Sequence, residues 1–167
     1  MKRLLSSIAA GLLALGTGCA SRPVVVAPVG PNPNGIQSQA STGSLQVFSR
    51  MAARDDDQNM AGDGIPIWHQ YTEYRIYQPD GKLVKTVINS VGHYSDRAEV
   101  VALPPGSYMV KAQAKDYFWV NVPVRIEPGR TTRVHLDQKW RPPGNAPKNE
   151  IVTGPDGNPL GWRAPAP

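Results

Sequence analysis

The chain has 167 residues, and its 18 lysines and arginines against 13 acidic residues give a formal net charge of +5 at neutral pH. No lysine- and arginine-rich run and no basic motif interleaved with aromatic residues occurs, which argues against nucleic acid as a partner. A single cysteine, Cys19, excludes an intrachain disulfide and a zinc site built from cysteines.

The N-terminal segment 1–18 has the composition of a secretory signal. Lys2 and Arg3 precede an apolar stretch, 4–15, which is followed by small residues and then by Cys19. The stretch is too short to cross about 30 Å of hydrocarbon, because a helix needs roughly 20 residues to do so. An ordinary secretory signal would leave Cys19 as a lone thiol in an oxidising compartment.

The sequence Leu-Gly-Thr-Gly-Cys at 15–19 resembles a bacterial lipobox, although Gly16 stands where that family usually has leucine. The resemblance implies that 1–18 is a lipoprotein signal peptide and that Cys19 carries a diacylglyceryl group and an acylated amine. Two or more acyl chains anchor a protein stably in a membrane. Ala20, which follows the cysteine in place of aspartate, favours the outer membrane of a bacterial envelope, with the protein facing the periplasm or the surface.

The rest of the chain divides by composition into three parts. Segment 19–43 is rich in proline, glycine and serine and predicts a flexible tether with a reach of roughly 25–30 Å. Segment 139–167 contains many prolines and no apolar periodicity, which predicts an irregular tail. The part between them, 44–138, is long enough for one small hydrophobic core.

Period-two patterns in the central part predict strands. The positions expected on one buried face are Leu45, Val47, Tyr108, Val110, Ala112, Ala114, Val120, Val122, Val124, Ile126, Thr132, Val134 and Leu136. Pro-Asp-Gly at 79–81 predicts a hairpin turn, and Pro123 favours an edge strand or a bulge. No 3.6-residue period occurs, so we expect an all-β fold, a small antiparallel sandwich of about seven strands with an immunoglobulin-like architecture.

Two phrases in this region carry a family resemblance. Leu-Pro-Pro-Gly-Ser-Tyr at 103–108 and Val-Arg-Ile-Glu-Pro-Gly-Arg-Thr-Thr-Arg-Val-His-Leu at 124–136 resemble the carboxypeptidase regulatory-like domain, and PEGA-type modules have similar strand endings. The resemblance covers about 68–137. It implies a transthyretin-like sandwich that is not itself catalytic and that accompanies peptidases, transporters and adhesins as a stabilising or binding module.

Metal and catalytic motifs give little signal. His69, His93 and His135 lack metal-ligand spacing, and we expect His135 on a solvent-exposed polar face. Segment 55–63 has calcium-loop oxygens at positions 1, 3 and 5, but methionine and proline replace the required glycine and glutamate, which favours a solvated acidic loop over a calcium site. No nucleophile elbow, paired-histidine zinc motif or phosphate loop occurs, so we expect no catalytic residue, metal or cofactor.

Aromatic residues at strand ends and loops give the main indication of binding. Trp68, Tyr71, Tyr117 and Trp119 could stack against a sugar or a peptide, or they could close one end of the core. The leading hypothesis is a non-enzymatic, lipid-anchored envelope protein that acts as a structural or interaction module, with the membrane and an envelope protein as partners. The alternative is a module that binds glycan or peptidoglycan, or an accessory domain of an envelope hydrolase system.

Overall fold

The computed structural model describes residues 26–53, 69–89, 97–115 and 119–165. The predicted signal peptide 1–18, Cys19, the acidic segment 55–63, Trp68, His93 and Tyr117 lie outside the described residues. Within the described ranges the protein is all-β, as predicted, and contains twelve strands rather than about seven.

The strands form three sheets. Their bounds are β1 Val29–Gly30, β2 Gly43–Phe48, β3 Met51–Ala53, β4 His69–Tyr71, β5 Tyr74–Tyr77, β6 Leu83–Val87, β7 Val100–Leu103, β8 Gly106–Ala112, β9 Val120–Ile126, β10 Thr131–His135, β11 Ile151–Thr153 and β12 Pro159–Arg163. The larger sheet has the order β11-β12-β1-β9-β8-β5-β6 and faces a three-stranded sheet with the order β10-β2-β7. Strands β3 and β4 form a separate pair.

The predicted alternation is confirmed in the central strands. All the positions expected on the inner face are buried except Tyr108, which is half-buried. Together they form most of one continuous core between the two sheets. The predicted hairpin turn joins β5 to β6, and Gly81 in it has a φ of 88°, a value that glycine adopts without steric cost.

The sheets are not purely antiparallel. Strand β10 pairs with β2 in parallel, and β1 pairs with β9 in parallel at Val29 and Val124. Pro123 therefore lies in a strand that is flanked on both sides, not in an edge strand or a bulge. Because β1 has only two residues, β9 is paired on that side only at Val124, which leaves room for a residue that has no amide donor.

The prediction of a flexible tether over 19–43 is wrong for residues 26–43, the part that the structure describes. Val29 is 0% exposed, and β1 lies between β9 and β12 in the larger sheet. Farther along, the amide of Ser38 donates to the carbonyl of Gly129 at 2.8 Å. Proline-rich composition predicts a solvated chain, but backbone pairing with strands far away in sequence holds residues 26–43 against the domain.

The predicted irregular tail is also wrong. Strands β11 and β12 form a hairpin at the end of the larger sheet, and Val152 and Leu160 belong to the core. A Cβ atom at Gly161 would lie 2.6 Å from Val29 Cγ1 and 2.7 Å from the carbonyl oxygen of Arg133. This close approach places β12 directly on β10, so the boundaries 44–138 leave out three strands of the domain.

Candidate functional site: an aromatic groove

Five rings form a continuous row along one side of the described structure. Tyr71 meets Phe48 edge-on at 5.7 Å, and Phe48 stacks on His135 at 4.4 Å with an interplanar angle of 6°. His135 stacks on Trp140 at 5.2 Å, and Trp140 meets Trp162 at 6.1 Å and 65°. All five side chains are half-buried. Each ring therefore packs against the protein and is also partly accessible to solvent.

Strand register explains the centre of this row. Phe48 ends β2 and His135 ends β10, and the parallel pairing of these strands makes the two residues direct partners. The chain then leaves β10 and brings Trp140 over the same ring. Trp162 comes from β12, which lies on β10 because Gly161 has no side chain. Two segments that are distant in sequence therefore supply the two indoles.

His135 was expected on an exposed polar face, and that expectation is wrong. Burial lowers the pKa of His135 from 6.5 to about 4; the Arg133 cation adds to this lowering, and the nearby Asp137 carboxylate opposes it. The imidazole is therefore neutral at neutral pH and packs as an aromatic ring. Asp137 itself is buried and accepts a hydrogen bond of 3.1 Å from the Tyr71 hydroxyl.

The two indoles form one wall of a groove of about 210 Å³. The residues that line it are Asn32, Thr131, Arg133, His135, Trp140, Arg141, Pro143, Gly161 and Trp162. No carboxylate occurs among these lining residues. The volume is below the roughly 300–1,000 Å³ of sites for drug-sized ligands, so the groove suits one sugar ring or one side chain at a time.

Two arginines on this groove are available for a ligand. Arg133 is exposed, and its Nε donates to Gln46 Oε1 at 3.3 Å, which leaves both terminal nitrogens without a described partner. Arg141 is exposed as well, and its Nη1 donates to the carbonyls of Gln138 and Trp140 at 2.8 and 3.0 Å. These bonds fix the arginine beside the indole while Nη2 has no partner among the described residues.

A second groove of about 320 Å³ continues from the first and shares Asn32, Thr131 and Arg133 with it. Arg130 lies there but has a structural role. Its Nη1 is 2.9 Å from Glu127 Oε2, and its Nη2 donates to the carbonyls of Asn32 and Pro33. This arginine holds the N-terminal segment on the domain, and Arg133 is the cation common to both grooves.

The predicted stacking residues are only partly brought together. Tyr71 is the first ring of the row, where its hydroxyl is occupied by Asp137. Trp119 is 39% exposed at another part of the surface, with Lys111 Nζ at 5.7 Å from its ring. Phe48, His135, Trp140 and Trp162 were not predicted. A signal for the last two exists in the sequence, since the dipeptide Trp-Arg occurs twice, at 140–141 and at 162–163.

The described residues offer no metal centre, since they contain no group of three or more histidine, cysteine, aspartate or glutamate side chains that could hold an ion. Within the same residues, no helix is long and apolar enough to cross a membrane. Comparisons with protein-family models, with curated proteins and with solved structures found no match.

Proposed function

We propose that this protein is a non-enzymatic, lipid-anchored module of the bacterial cell envelope that binds glycan through the aromatic groove. The observation that supports the proposal is the corner made by Trp140 and Trp162 beside Arg133 and Arg141. Indoles present a flat apolar face that suits the C–H face of a sugar ring, and guanidinium groups suit carboxylates. The groove therefore favours a glycan that carries carboxylate groups.

A purely structural role accounts for fewer features of this surface than ligand binding does. Such a module needs aromatic side chains to fill its core, where they contribute most through buried area. Here Trp140 is held between His135 and Trp162, both indoles are half-buried, and the adjacent cations have donors left over. Preorganised groups of this kind lower the entropy cost of binding a ligand.

The binding claim is tested by sedimentation of the detergent-solubilised protein with purified cell wall. Trp162→Ala should lower retention several-fold, because loss of a stacked aromatic costs on the order of 1 kcal/mol beyond the area term. Trp119→Ala is the matched control, since it removes an exposed indole that lies outside the groove. Equal retention of the wild type and Trp162→Ala would contradict the proposal and favour the plain structural module.

The preference for carboxylates needs a separate measurement. Arg133→Gln removes the charge and the terminal guanidinium nitrogens but keeps an N–H donor near the position of Nε. We expect it to weaken binding to an acidic polysaccharide such as polygalacturonate and to leave binding to a neutral one, such as chitin, unchanged. The same loss on both polymers would show that Arg133 supports the groove's shape and not a charge contact.

Anchoring is supported by the lipobox-like sequence before Cys19. Cys19→Ser should abolish lipid modification and move the protein out of the membrane fraction, since acyl chains provide the membrane affinity. Fractionation followed by mass spectrometry of the processed N-terminus checks this. A serine variant that stays membrane-bound and is processed at the same site would refute the anchor.

A further inference from the structure

The path of the N-terminal segment places its entry at one end of the domain. Strand β1 runs parallel to β9, with Val29 opposite Val124, so the residues that precede Val29 lie toward the start of β9. Val26 and Val120 line one shallow depression together with Lys115. The described chain therefore begins beside the strand end that carries Trp119.

The distance from the membrane follows from this path. Val26 lies seven residues beyond Cys19 in the sequence. A fully extended chain spans at most about 3.6 Å per residue, so the domain begins no more than about 25 Å from the acylated cysteine. The 25-residue tether expected from composition would have allowed the domain to move far more freely.

The side chains at this end suit a lipid headgroup layer. Trp119 is a large aromatic residue with 39% of its surface exposed, and Lys111 Nζ lies 5.7 Å from its ring. Lys115, which is also exposed, follows β8. Tryptophan is enriched at membrane–water interfaces, and lysines near an anionic surface are attracted to it. Among the described residues that line this depression, the acid is Asp156, whose Oδ2 accepts a hydrogen bond from Gln138 Nε2 at 3.0 Å.

We propose that this anchor end, made of Val26, Lys111, Lys115 and Trp119, docks on the anionic headgroups of the membrane that holds Cys19. The inference rests on the proposed lipid anchor and is independent of glycan binding. Docking fixes the orientation of the domain, because the indole enters the interface while the two lysines contact lipid phosphates. The anchor brings the surface to the membrane, and these side chains determine which face is turned toward it.

The test uses the mature, acylated protein reconstituted in vesicles of phosphatidylethanolamine and phosphatidylglycerol that carry bromine on the acyl chains. Bromine quenches indole fluorescence only at short range. We expect Trp119→Phe to lose most of the quenching seen in the wild type, whereas Trp162→Phe retains it. Phenylalanine keeps an aromatic side chain at the exposed site, and near-ultraviolet circular dichroism checks the fold.

Lysine variants provide a second readout that leaves Trp119 in place. Lys111→Gln and Lys115→Gln should each lower the docking equilibrium roughly fivefold, and Lys→Arg at the same positions should preserve it. The mass of the purified protein reports acylation of Cys19. If the protein is acylated and Trp119→Phe is quenched as strongly as the wild type, the docking proposal is wrong and the lipid anchor is unaffected. If Cys19 is not acylated, both the docking and the lipid anchor are wrong.

Discussion

Two tryptophan regions within the described residues differ in what supports them. Trp140 and Trp162 stand in a row of rings, with His135 stacked on one indole and β12 packed on β10 beneath them. Trp119 stands on the outer side of the larger sheet, with Lys111 as its described ring contact. The same residue type is therefore held firmly in one region and loosely in the other.

This difference separates two kinds of recognition. A groove that selects a particular ligand must keep its contact groups in place before the ligand arrives. A fluid lipid surface adapts to the protein, so an interfacial tryptophan needs exposure and nearby cations more than rigid packing. The experiments below test whether the two regions differ in this way, from the largest expected effect to the smallest.

Gly161→Ala should remove the support of the groove. The added Cβ would lie 2.7 Å from the carbonyl oxygen of Arg133, a backbone atom that cannot move without shifting β10. We expect a loss of about 2–3 kcal/mol in the free energy of unfolding, measured by urea titration, because overpacking costs this much. Gly144→Ala is the control, since nothing lies near its Cβ position. Equal stability of the two variants would show that β12 is not pressed on β10.

Alanine substitutions compare the two tryptophan regions directly. Trp140→Ala should cost about 2 kcal/mol in the free energy of unfolding, because its ring packs against both His135 and Trp162. Trp119→Ala should cost less than about 1 kcal/mol, since its ring is partly exposed at the surface. Thermal melts of both variants check this. The reverse order would mean that Trp119 is the structural residue.

The pH dependence of stability tests the burial of His135 in the row. Its pKa is about 4 in the folded state and 6.5 in the unfolded chain, so between these values the unfolded state binds more protons. The contribution of His135 is present above about pH 6.5 and is lost as the pH falls toward 4. The loss is on the order of 2 kcal/mol after allowance for partial exposure.

His135→Phe is the matched variant, because it keeps an aromatic ring and removes the titration. The unfolding free energy of His135→Phe minus that of the wild type should rise as the pH falls from 6.5 to 4, because only the wild type loses the His135 contribution. The carboxyl groups are common to both proteins, so their contributions to the pH dependence cancel in this difference. A constant difference across that range would show that the imidazole is solvated in the folded protein.

The sequence predicts the central strands well for a local reason. In β9 the buried positions Val120, Val122, Val124 and Ile126 alternate with more exposed ones, so each residue reports which side of the sheet it faces. The turns beside these strands contain glycine and proline at conformationally restricted positions, as at Gly81 and Gly129. Both signals are properties of adjacent residues and need no knowledge of distant contacts.

The places of β1 and β12 in the larger sheet could not be predicted because they depend on partners that are distant in sequence, although the pairing of β12 with β11 is a local hairpin. Strand β1 has two residues, and β12 contains a proline and a glycine, so neither shows an alternating pattern. Their positions depend on pairing across more than a hundred residues, as between Val29 and Arg163. The groove depends on the same pairing, which is why Trp140 and Trp162 were missed while Tyr71 was found.

Nuclear magnetic resonance of the indole N–H groups tests glycan binding in the groove most directly. Four tryptophans occur in the chain, so their signals can be assigned by single Trp→Phe variants. On titration with oligogalacturonate, we expect the Trp140 and Trp162 signals to shift saturably and the Trp119 signal to stay in place. A shift confined to Trp119, or no shift of the groove signals at saturating ligand, would contradict the proposed function.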